Sequence, residues 1–121
     1  DDSVIRIIKK DGMVIVPMDR PMTLKQMMRR ENIPMRVDSM RSGIVTSFLF
    51  SSLDQFKKYE PALSACPVMM PIKWFLGIVF ETPEINEFVI DPVLGREAIA
   101  FTAEHGMELL RKADGFFSDK G

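Results

Sequence analysis

The sequence predicts an α+β fold, close in character to α/β: a single central mixed sheet with an N-terminal β-hairpin and about four helices packed on it. Three observations support this. Short runs rich in Val, Ile and Phe are bounded by Gly, Pro and Asp. Two Ser/Thr-x-x-Gln capping boxes mark helix starts. Between residues 72 and 79, Ile72, Phe75, Leu76 and Val79 fall at i, i+3, i+4 and i+7, the spacing of one helical face.

Along the chain, "SVIRIIKKDGMVIVPM" reads as the hairpin, with Val/Ile runs on either side of Asp11-Gly12. Pro17 cannot donate to a ladder, so the second run ends near it. Thr23 and Gln26 cap a short helix in which Leu24, Met27 and Met28 share a face, and Asn32 and Pro34 stop it. Residues 31–43, "ENIPMRVDSMRSG", read as a loop leading into a short strand or turn. Ile44–Phe50 is a strand with Ile44, Thr46, Phe48 and Phe50 on one side and Val45, Ser47 and Leu49 on the other. Apolar residues on both faces point to an interior strand.

At Ser51-Ser52 the apolar period changes from two to between three and four. Ser52 and Gln55 form the second capping box, and Leu53 and Phe56 lie on one face of the helix it starts. "PVMM" is a short strand. Pro71 suits a first helical turn, so residues 71–80 are read as helix in preference to a buried strand near Gly77. Asn86–Asp91 is a strand with Phe88 and Ile90 on one face, and Asp91-Pro92 and Gly95 turn the chain. "EAIAF" is a last strand. Thr102 caps a final helix to about Lys112, with Met107, Leu110 and Ala103 facing inward, and residues 113–121 form a frayed tail.

Composition narrows the function classes. The 121 residues fit one domain over 1–121, and such a chain buries roughly two-thirds of its extended surface without metal or disulfide support. Cys66 is the only cysteine, so no internal disulfide forms, no zinc spacing exists, and a reducing, cytoplasmic setting is expected. The N-terminus lacks the order of a signal peptide, and the longest apolar run, Trp74–Phe80, is too short to span a bilayer. The first residue is Asp1, as in a trimmed or excised piece of a longer protein.

A net charge of −1 disfavours nucleic acid as a partner. Arg20, Lys25, Arg29, Arg30, Arg36 and Arg41 stand against only Glu31 and Asp38 within their stretch, whereas Glu81, Glu84, Glu87, Asp91 and Glu97 stand against Arg96 alone. Two solvated faces are the simpler reading, and a basic docking patch is the sharper one.

The stretches "GIVTSFLFSSLDQFKKY", "PVMMPIKWFLGIVF" and "INEFVIDPVLGREAIAFT" resemble the N-terminal domain of the SseB-like family, the enhanced serine sensitivity proteins. The phrases carrying the resemblance are Phe50-Ser51-Ser52, Ile90-Asp91-Pro92 and the early strand Val14–Met18. It covers residues 13–110 and departs over the basic, Met-rich insertion Met18–Met40. The resemblance implies an α/β domain, alone or beside other modules, with no established catalytic residues.

Candidate chemistry is sparse. Cys66 and His105 are a conceivable nucleophile and base, but no basic neighbour in sequence activates the thiol and no third group orients the imidazole. The acids Glu81, Glu84, Glu87 and Asp91 lack the ligand alternation of a calcium loop, and Asp91 is read as a turn residue capping nearby backbone N–H groups. Ser51-Ser52 lies at a helix start where N–H groups can hold an anion, although self-capping by Ser52 already explains it. Seven of ten methionines fall in the first 40 residues. Met13, Met27 and Met107 read as core; Met18, Met22, Met35 and Met40 read equally as core or as an adaptable binding surface.

The sequence therefore leads to a non-enzymatic protein-interaction or regulatory module with no cofactor or metal. Binding residues are expected at Arg29, Arg30, Met35, Arg36 and Arg41, with Ser51 and Asp91 at the strand ends. The alternative is a small-ligand-binding regulatory domain with its groove near Ser51 and Asp91. A protein partner is expected, membrane and nucleic acid are not, and a homodimer could form along an apolar edge of the N-terminal hairpin.

Overall fold

Ile5 and Ile8 lie three residues apart, with Arg6, Lys9 and Lys10 between and after them. That is a helical stripe, and in a computed structural model of the protein the first segment is a helix, α1 (Asp2–Lys9). The structure describes residues 2–10, 12–29, 33–41, 43–59, 63–93 and 99–118. The expected N-terminal hairpin is thus corrected. β-Branched Val and Ile suggested a strand, but Ile8 is buried at 2% exposure on the helix's inner face. The helix end is closed by Lys10 N–H donating to the Arg6 carbonyl at 3.1 Å and Gly12 N–H donating to that of Ile7 at 2.8 Å. A Cβ at Gly12 would sit 2.7 Å from Ile7 Cγ2, so this close return of the chain requires glycine. The hairpin edge on which a homodimer was expected is lost with the hairpin.

The chain continues through β1 (Met13–Met18), α2 (Leu24–Arg29), β2 (Val37–Arg41), β3 (Ile44–Leu49), α3 (Leu53–Lys58), β4 (Cys66–Pro71), α4 (Ile72–Glu81), β5 (Glu87–Ile90), β6 (Ala100–Thr102) and α5 (Ala103–Ser118). This is the expected α+β class with a mixed sheet. Five helices appear among the described residues, and the strands form two sheets rather than one. The larger has the order β2-β3-β5-β6, with β3 and β5 parallel and the outer pairs antiparallel. The smaller pairs β1 with β4 antiparallel, from Met13 opposite Pro71 to Met18 opposite Cys66. Ile15 and Phe50 exchange both backbone hydrogen bonds, each 2.8 Å, and join the two sheets.

The expected caps are in place. Thr23 Oγ1 accepts from Gln26 N–H at 3.1 Å while Gln26 Oε1 accepts from Thr23 N–H at 3.0 Å, a reciprocal capping box. Ser52 Oγ accepts from Gln55 N–H at 3.2 Å, and Thr102 Oγ1 from His105 N–H at 3.1 Å. Residues 72–81 are helical, with Pro71 at the N-cap. The final helix runs on to Ser118, so the backbone of residues 113–118, expected as tail, is helical.

Strand alternation separates two apolar layers. Val14 and Val16 of β1, Leu49 of β3 and Phe88 of β5 face a large cluster with Ile8, Phe75, Leu76, Val79 and Leu109 of the helices. Ile15, Phe48, Phe50 and Val89 face the other way, against Phe56 and Tyr59 at α3. Leu109 of α5 is buried at 1% exposure, whereas Met107 and Leu110 are half-buried. Methionine placement also departs from expectation. Met18 and Met35 are core residues that bridge one another, whereas Met13 is half exposed. Met22 is half-buried against the core, and the side chains of Met27 and Met40 lie outside the described residues. Leu24 and Met28 of α2 turn outward, at 63% and 70% exposure, so these two apolar side chains of that helix are uncovered.

Candidate functional site at the ends of the parallel strands

β3 and β5 run parallel in register, Phe48 beside Val89 and Leu49 beside Ile90, so they end at the same level. Ser51 and Asp91 follow immediately. Asp91 N–H donates to the Leu49 carbonyl at 3.0 Å, and its backbone then turns into the left-handed region at φ 48°. Asp is among the few residues that tolerate this conformation. Its carboxylate accepts from Ser51 N–H at 2.8 Å and from Ser51 Oγ–H at 2.7 Å. Each strand end therefore locks the other. The expected turn role of Asp91 is extended here: it caps a backbone N–H 40 residues away in sequence. The Ser51 N–H, one of the helix-start donors that an anion could use, is occupied by this carboxylate.

Above the lock lies an open cleft of about 510 Å³. Among the described residues, Arg6, Ile7 and Lys10 form its α1 side, Ser51, Ile90 and Asp91 form the strand-end side, and Ile99 and Phe101 also line it. The volume falls within the roughly 300–1,000 Å³ of small-molecule sites, and open α/β sheets place ligands beyond the carboxyl ends of their strands. Arg6 and Lys10 are four apart, hence on one helical face, and both are exposed. Among the described residues neither side chain is ion-paired. Behind Phe101, the His105 ring stacks on it at 5.8 Å and 13° between planes, with Nδ1 4.0 Å from Glu108 Oε2.

Of the other expected binding residues, those the structure describes sit in different surroundings. Met35 is buried. Arg36 pairs with Asp19 and donates to Ser64 Oγ at 3.0 Å, which ties the 33–36 segment to two neighbouring loops. Arg29 lies with Leu24, Lys25 and Met28 on exposed α2, and among the described residues these four line the space beside that helix. Arg30 and the side chain of Arg41 lie outside the described residues. Cys66 begins β4, half-buried opposite Met18, and His105 is on α5, so different elements carry the two. Glu87 is buried and accepts from Thr46 Oγ1 at 2.9 Å, a structural bond between β5 and β3.

The sequence expectation of a strand hides Arg6 and Lys10 as a pair: residues four apart share a strand face but stand roughly 13 Å apart along it, against roughly 6 Å along a helix. Their four-residue spacing between isoleucines was the available signal.

Fold and cleft together define an α+β protein with a ligand-sized opening at the ends of two parallel strands. No family model, curated protein or solved structure matches the chain. Among the described residues no helix is long and apolar enough to cross a membrane.

Proposed function

We propose that this chain is a non-catalytic regulatory module that binds a small ligand in the cleft between α1 and the ends of β3 and β5. The observation that supports it is the cleft's composition: Ser51 and Asp91 hold each other rigidly, while Arg6 and Lys10 stand without ion-pair partners among the described residues. A hydrogen-bonded wall facing exposed cations is a binding arrangement more than a reacting one. Catalysis is not assigned to Cys66 or His105, whose neighbours are Met18 in a strand pair and Phe101 in a ring stack. Membership of the SseB-like family and a cytoplasmic setting form part of the same proposal, resting on the phrases at residues 14–18, 50–52 and 90–92 and on the lone Cys66. A thermal-shift screen against metabolites tests it, since a ligand at a hundred times its Kd adds about 2.7 kcal/mol. Hits that weaken in Arg6→Gln support the reading, and a flat screen on the folded protein overturns it.

A second reading, docking of a protein partner, is favoured by α2, where Leu24 and Met28 are exposed, each followed by a cation, Lys25 and Arg29. Pairing Met28→Ser with Arg29→Ala in a cross-linking survey tests this: partners that persist unchanged argue against α2 as the contact.

A further inference from the structure

The two sides of the cleft have opposite hydrogen-bonding character. On α1, Arg6 and Lys10 offer donors and no acceptor. On the strand ends the reverse holds. The Asp91 carboxylate has about four acceptor positions, of which Ser51 N–H and Ser51 Oγ–H use two. The single Ser51 hydroxyl proton is spent on that bond, so what Ser51 Oγ retains is acceptor capacity. Between these walls Ile7, Ile90, Ile99 and Phe101 offer hydrocarbon. A plain anion would satisfy α1 but sit beside the Asp91 charge, and a plain cation would satisfy Asp91 but sit beside Arg6 and Lys10. A ligand that satisfies both walls carries an acceptor anion at one end, a donor cation at the other and an apolar body.

Resting on the reading of the cleft as a small-ligand site, we infer that its ligand is an apolar zwitterion, bearing an ammonium and a carboxylate as a free amino acid or a short peptide does. The carboxylate is held by Arg6 and Lys10, the ammonium by Asp91 and Ser51 Oγ, and the side chain lies on Ile99 and Phe101. This assigns Asp91 two tasks, holding Ser51 and recognising the cation. Its left-handed backbone is the cost of aiming one carboxylate at both.

The experiment is a titration of the full chain, followed by amide NMR shifts at Ile7, Ser51, Ile90 and Phe101. The probes are L-phenylalanine, the dipeptide Leu-Leu, phenethylamine (no carboxylate) and hydrocinnamate (no ammonium). At least one zwitterion is expected to bind ten times or more tighter than either half-charged probe, and which zwitterion binds separates amino acid from peptide. Asp91→Asn keeps an acceptor for Ser51 N–H and suits the left-handed backbone, so it should fold; it is expected to weaken the zwitterion and to bind hydrocinnamate more tightly, because the charge beside that anion is gone. The double variant Arg6→Gln, Lys10→Gln, on an exposed helix face, is expected to weaken the zwitterion and to bind phenethylamine more tightly, because the like charges beside that cation are gone. Hydrocinnamate binding as tightly as phenylalanine overturns the inference while the small-ligand reading stands. No shift at the cleft with any of the four probes also overturns it, and a hit of another chemical class in the metabolite screen keeps the broader reading separate from that failure.

Discussion

Asp91 combines an unusual backbone with two short hydrogen bonds, and the two features have separable energetics. Ala at φ 48° pays a left-handed penalty of about 1 kcal/mol. Losing the carboxylate frees the Ser51 donors, but these are exposed and water replaces part of the loss, so that contribution is also about 1 kcal/mol. Asp91→Ala is therefore expected to destabilise by about 2 kcal/mol, Asp91→Gly by about half as much, and Asp91→Asn least. Urea midpoints order the three, and equal values for Ala and Gly would remove backbone strain from the account. Tyr59 gives a pH prediction. Burial, and secondarily the negative charge of Asp38, hold its phenol above the ordinary value of 10.0. The folded chain thus keeps a proton that the unfolded chain releases near pH 10, so stability is full below that pH and falls as pH rises through the raised value. Urea midpoints taken up through that alkaline range should fall more steeply in the native chain than in Tyr59→Phe. Parallel declines would mean that Tyr59 is not the titrating group.

At the level of elements, helix packing decides what intrinsic preference cannot. Gly106 lies inside α5, where Ala is better by about 1 kcal/mol on helix propensity alone. A Cβ there would stand 2.8 Å from Phe88 Cε1 and 3.2 Å from Leu76 Cδ2. Phe88 cannot yield readily: its ring is edge-on to Phe75 at 5.4 Å and stacked on Phe101 at 5.3 Å, with no exposure. Overpacking of about 1–3 kcal/mol wins, so Gly106→Ala is expected to lower stability by about 1 kcal/mol net, against the sign helix propensity predicts. A stabilised variant in thermal melts would show that α5 can move away from Phe88. The same contest explains what was legible beforehand. Caps at Thr23, Ser52 and Thr102 are local signals and read correctly, as did the Ile72–Val79 stripe. The first segment misled because β-branched Ile5, Ile7 and Ile8 carry a strand preference that tertiary burial of Ile8 overrides. For the site, Ser51 and Asp91 were legible as strand ends, whereas Arg6 and Lys10 became part of it only once α1 was a helix.

Across the whole molecule, one strand pair connects two apolar layers. β1 sends Val14 and Val16 to the layer shared with α1, α4 and α5, and Ile15 to the layer under α3. Phe50 completes the second layer: its side chain is fully buried, edge-on to Phe56 at 5.5 Å and tilted against Tyr59 at 6.0 Å. Its backbone separately joins the sheets through Ile15. Phe50→Ala removes the ring but retains both backbone bonds, so it tests which of the two makes the molecule one cooperative unit. The expected loss is about 3–5 kcal/mol, a large share of the 5–15 kcal/mol typical of a domain. Trp74, packed on the first layer, and Tyr59, in the second, provide independent optical probes. In the native chain their urea transitions should coincide, as two-state unfolding requires. In Phe50→Ala they should still coincide at a lower midpoint, because the ladder through Ile15 and the alternation along β1 and β3 remain. A Tyr59 transition that precedes the Trp74 transition would instead mean that the aromatic layer under α3 is held by its own packing, and that the cleft wall at Ser51 can loosen without the rest of the sheet.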